Sequence, residues 1–182
     1  MTTQRRAEMF IGEEADPRVG TKAVGDERAM LVEFLNAQRT TLRLKCAGLH
    51  AELATRSVEP STLSLLGLVR HLADVERRWF RQVLAGQQVP PRFSSTCDPD
   101  GDFDGALARD EVIAQAWAAL REEIEFADEF VATAPSLDVT GEDGWRGVVS
   151  LRWVLIHLIE EYARHNGHAD LLRERIDGAI GL

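Results

Sequence analysis

The chain has 182 residues, 45% hydrophobic and 28% charged, a composition that suits one folded domain and excludes both a disordered segment and two full cores. Lys and Arg number 21 against 30 Asp and Glu, a formal net charge of −9; no basic run reverses that balance locally, so a nucleic acid is not an expected partner. The longest apolar runs are short, LLGLV at 65–69 among them, whereas a membrane-crossing helix needs roughly 20 apolar residues, so no membrane partner is expected.

Residues 1–25 have no clear hydrophobic period and read as an N-terminal arm; Arg5 and Arg6 stand there without the apolar stretch of a secretory signal, which makes the cytoplasm the expected location. The first helical pattern covers about 26–49, with Met30, Leu31, Phe34, Leu35, Gln38, Leu42 and Leu49 recurring at three- and four-residue steps behind Asp26, an expected N-cap. A second covers 64–85, with Leu65, Leu68, Leu72, Val75 and Trp79 on one stripe and Gly86 after its end. The third covers about 107–132, carried by Ile113, Trp117, Leu120, Ile124, Ala127 and Val131. A fourth runs over 150–176, with Ser150 as N-cap and Gly178 beyond. Segments 59–62, 89–104 and 135–147 read as loops, and no segment alternates with period two. Four amphipathic helices of this length bury their apolar faces against one another, so the expected fold is all-α, an up-down four-helix bundle with long loops over residues 26–182.

Polar residues on the inner stripes are the informative exceptions, because an unpaired ion inside a bundle costs several kcal/mol. On the fourth helix Val154, Leu158, Tyr162, Ala169, Leu172 and Ile176 define the apolar arc, and Glu161 and His165 fall on that same arc, four residues apart. His157 and His168 border it, while Glu160, Arg164, Asp170 and Glu174 point away. Two ligand-type side chains projecting together from a bundle helix begin a metal site. The second helix supplies a third partner: His71 stands at the edge of its stripe and Glu76 near the middle. Glu76 there must pair with a buried cation or bond to a histidine ring. A His/Glu/His set leaves a coordination position open, as catalytic metal sites do. An ordinary solvated i,i+4 pair is the competing reading.

The stretch LSLLGLVRHLADVERRWF at 63–80, followed by LRWVLIHLIEEYARHNGHADLLRE at 151–174, resembles the DinB-like superfamily, and within it the branch of mycothiol-dependent enzymes. The resemblance covers about 26–176 and leaves the arm outside. It implies a four-helix bundle, a homodimer, and a divalent metal held by one His of the second helix and a His-x-x-x-His pair of the fourth. By position these are His71, Glu161 and His165. Glu161 departs from the commonest pattern and resembles the maleylpyruvate isomerase subgroup that uses mycothiol; a carboxylate there widens the choice among Zn, Ni, Fe and Mn. The implied activity is thiol transfer to, or isomerisation of, a small electrophile, with mycothiol as the thiol cofactor. Asp74 and Glu76 are candidates for orienting His71. The alternative of another class is a non-catalytic bundle, a ligand-binding or assembly module with a structural metal or none.

DGDFDG at 100–105 followed by Glu111 has the spacing of a calcium-binding loop, but the prolines before it, Pro90, Pro91 and Pro99, leave no entering helix. Its carboxylates are instead expected to precede the third helix and favour its positive end. Cys46 lies in a helical pattern and Cys97 in a polar loop; neither has the setting of a catalytic nucleophile, and two such cysteines make no disulfide framework.

Overall fold

The computed structural model describes residues 16–18 and 24–180, so most of the expected arm lies outside the described residues. Helix α1, Glu27–Cys46, starts where Asp26 accepts a hydrogen bond from the Ala29 amide at 3.0 Å, satisfying a donor that the first helical turn leaves free. Leu35 and Leu42 are its buried apolar contacts, and Arg39 and Lys45 are buried with them. Phe34, expected on the inner stripe, is 54% exposed: a step of about 100° from Leu35 carries it past the contact face. A short α2, Ala51–Ala54, comes next.

Helix α3, Leu65–Glu76, is capped by Ser64, whose hydroxyl accepts from the Gly67 amide. It runs on as a π-helical segment, Arg77–Leu84, and Gly86 after it adopts a φ of 63°. The wider turn buries Trp79, Phe80, Val83 and Leu84 together and sends Arg77 and Arg81 to Glu123 and Arg78 to Asp143. Helix α4, Gly101–Asp104, is a single turn; α5 spans Asp110–Thr133; and α6 spans Leu151–Ile176, with Ser150 accepting from the Trp153 amide and Gly178 at φ 78°.

Helix α1 lies along α6 and α3 along α5, and α3 also touches α6 and α1. Leu42, Leu72, Phe80, Leu155, Leu158 and Tyr162 are inaccessible to solvent in the space between them, each large apolar side chain contributing about 1.5–3 kcal/mol by leaving water. Leu65 and Leu68 meet Ala169 and Leu172 in a smaller cluster, so the start of α3 and the end of α6 share one end of the molecule. The described residues are mostly helical, as expected for the class.

The departure is an antiparallel hairpin, β1 Thr140–Asp143 and β2 Gly147–Ser150, pairing Thr140 with Ser150 and Asp143 with Gly147. Most of it falls in a segment whose sequence reads as loop. Strands of four residues are too short to display alternation, and the turn is fixed by a side chain: Asp143 accepts from the amides of Trp145 and Arg146 and pairs with Arg78. Gly141 is required for a different reason, since a methyl group there would collide with the Val83 carbonyl. The hairpin is thereby seated on the π segment.

Candidate metal centre

His71 comes from α3, and Glu161 and His165 from α6. One ligand atom of each lies within 4.8 Å of the others. The His71 and His165 ring centroids are 4.8 Å apart, and His165 Nε2 is 3.5 Å from Glu161 Oε2. Helical spacing explains the second pair, because residues four apart share a face. The trio is largely buried but reaches solvent, with side-chain exposures of 27% for His71, 20% for Glu161 and 11% for His165. Its donors are two imidazoles and one carboxylate, a set suited to Zn, Ni, Fe or Mn.

Asp102 stands behind His71, its Oδ2 2.8 Å from Nδ1. An ionised carboxylate only accepts, so the pairing keeps the proton on Nδ1 and leaves the Nε2 lone pair free as a ligand. The Asp102 turn is itself held: Arg70 donates to the carbonyls of Asp102 at 2.7 Å and Gly101 at 2.8 Å. Phe103 stacks on the His71 ring at 5.2 Å. Gly67 leaves room for this approach, since a Cβ there would come within 2.8 Å of the Phe103 ring.

The two carboxylates that the sequence offers for orienting His71 do other work. Asp74 accepts from the amides of Arg92, Phe93 and Ser94 and from the Ser94 hydroxyl, fixing the loop after the π segment. Glu76, inaccessible to solvent, receives two bonds from Arg39 at 2.8 and 2.9 Å and one from the Tyr162 hydroxyl at 2.9 Å. Of its two expected partners, the buried cation is the one found. Asp102 escapes sequence reasoning as an orienting group because its contact spans 31 residues and no helical period links the two. The acidic run at 100–105 is the available signal. It folds as a helical turn with one carboxylate committed to His71.

Towards the start of α6 the site gains an aromatic wall. His157 stacks on Trp153 at 4.8 Å and meets Trp79 edge-on at 4.9 Å, and its Nε2 lies 3.6 Å from Glu161 Oε1. Burial pushes the His157 pKa down, with Glu161 opposing and Arg146 and Arg78 adding to the effect. The hydrogen bond from His165 chiefly holds Glu161 below its usual range, against burial. On the other side His168 Nδ1 is 3.4 Å from His165 Nδ1, and burial first, then His165 and Arg164, lower its pKa. Both histidines that border the arc in sequence therefore flank the trio. Cys46 is not among the three clustered side chains, its thiol pushed up to about 12 by burial, and Cys97 is exposed.

A family model described as mycothiol-S-transferase matches residues 30–178. No curated protein matches the chain.

Proposed function

Because the chain belongs to the mycothiol-S-transferase family, we propose that it is a metal-dependent enzyme that joins the sulfur of mycothiol to a small electrophile, either transferring it or using it to isomerise the acceptor. The fold in this reading is a four-helix bundle of the DinB-like kind over residues 26–182, with 1–25 as an arm. The observation that carries the mechanism is the convergence of His71, Glu161 and His165 within 4.8 Å.

These three side chains would hold a divalent ion. When bound, such an ion lowers the pKa of a thiol and supplies the nucleophile at neutral pH. His71 presents Nε2 because Asp102 occupies Nδ1. Glu161 adds a negative charge to two neutral donors, and its pKa below the usual carboxylate range keeps it ionised at pH 7. Trp79 and Trp153, closing on His157, shield one side of the trio from water. In the transfer, the deprotonated sulfur forms the new bond to the electrophilic carbon, and the leaving group departs with its electron pair. In an isomerisation the sulfur itself leaves with the pair and recovers its proton.

Elemental analysis of the freshly purified protein, alone and as His71→Ala, Glu161→Ala and His165→Ala, tests the metal. The expected result is an ion stoichiometric with the wild-type chain and depleted in each variant. Mycothiol consumption with a small electrophile should stop on chelation and return with the metal. Metal with a melting temperature that falls on chelation, but no thiol chemistry, would favour a structural ion. No metal and no effect of chelation would leave a bundle without catalysis. The same reading includes a homodimer in the cytoplasm, to be checked by light scattering and fractionation; no described helix is long and apolar enough to cross a membrane.

A further inference from the structure

Hairpin and helix border an open, shallow concavity of about 490 Å³ lined by Thr140, Arg146, Val148, Val149, Ser150 and Trp153. That volume lies within the usual range for small-molecule sites. Trp153, His157, Glu161 and His165 succeed one another at four-residue steps along α6 and form one stripe. Trp153 therefore stands about 12 Å along the helix axis from Glu161. The stripe is continuous, since His157 touches Trp153 on one side and Glu161 on the other.

Three features mark the concavity as a binding surface. Val148 in the lining is 72% exposed, and Trp145, at the neighbouring hairpin turn outside the lining, is 80% exposed, apolar exposure of the kind that marks binding surfaces. The Arg146 guanidinium lies 4.6 Å over Trp145 and 5.0 Å over Trp153, and no carboxylate pairs with it among the described residues. Stacking fixes its plane while leaving its donors free. Ser150 spends an oxygen lone pair on the Trp153 amide and keeps its hydroxyl proton to donate.

We propose that this concavity receives the two-ring polyol head of the thiol, with the sulfur reaching along the stripe to His71, Glu161 and His165. The inference rests on the thiol reading given above. Mycothiol is a cysteine thiol joined through an amide to a neutral two-ring polyol. Sugar-like rings have apolar faces and hydroxyl edges, which fit flat indoles and valines beside Arg146, Thr140 and Ser150. An anionic ligand fits less well, because Arg146 is the single cation of the lining in a protein of net charge −9. The length of the stripe selects an extended molecule over a compact thiol.

The test uses N-acetylglucosaminyl-inositol, the head without its cysteine, titrated into the full chain by calorimetry and followed by tryptophan fluorescence. Saturable binding with a change in fluorescence is expected. Trp145→Ala and Arg146→Ala should each weaken it about tenfold or more, with circular dichroism confirming that they fold. His71→Ala, on α3 across from the far end of the stripe, should bind the head as the wild type does. Absence of binding, or equal binding by all variants, overturns the subsite. Thiol consumption without head binding would remove this subsite and leave the proposed function standing. Head binding without thiol consumption would do the reverse.

Discussion

Asp102 shows how much a single carboxylate can contribute without touching substrate. It orients His71 through one bond of 2.8 Å, and loss of such a partner typically lowers metal affinity 10–100-fold. Asp102→Ala is therefore expected to weaken the metal by about that factor in competition with a chromophoric chelator. Asp102→Asn, whose amide oxygen still accepts from Nδ1, should recover part of the loss. Equal affinity in all three proteins would remove Asp102 from the role. The three proposed ligands are legible in the sequence because their residue types contradict their apolar stripes: Glu161 and His165 by period alone, His71 by its place at the edge of a stripe and by family resemblance. Asp102 is not legible, because a loop residue has no stripe to violate. Glu76 is legible as a misfit, but the misfit points equally to a cation and to an imidazole. Only Arg39 on a different helix decides between them.

At the scale of elements, caps and end signals translate directly. Asp26, Ser64 and Ser150 each accept from an amide in the first turn, and Gly86 and Gly178 take the positive φ expected past helix ends. The hairpin and the π segment are illegible for a shared reason: each is specified by contact with the other. Gly141 reads as loop punctuation until its approach to Val83 is seen. Gly141→Ala is expected to destabilise the protein by about 1–3 kcal/mol, lowering the melting temperature by several degrees. If the hairpin seats the head-binding surface, the same variant should also blunt the fluorescence change. An unchanged melting temperature would mean that the hairpin sits loosely on the segment beneath it.

Across the whole molecule, arginine–carboxylate clusters tie elements far apart in sequence. Glu123 on α5 accepts from Arg77, Arg81 and Arg92 at 2.5–2.8 Å. Burial raises its pKa, but the three guanidiniums outweigh it and hold the carboxyl below its usual range. A carboxyl so depressed stabilises the folded state above its unfolded pKa, and that contribution disappears as pH falls through the folded value. Wild-type stability should thus drop on acidification below the ordinary glutamate range. Glu123→Gln, less stable at neutral pH, should show a shallower acid limb in urea melts; parallel limbs would discount the cluster. The π segment carries one more consequence. A π turn amounts to an extra residue threaded into a regular coil, so the residues beyond it are rotated by about 100° relative to those before it. His71 lies ahead of that offset, and the hairpin's seat at Val83 and Leu84 lies at its far end. Deleting one residue from 80–84 should reset the phase, leaving metal uptake intact while swinging the hairpin off its perch. The hairpin's concavity and the three proposed metal ligands would then lose their alignment through a change of one residue that touches none of the three ligands.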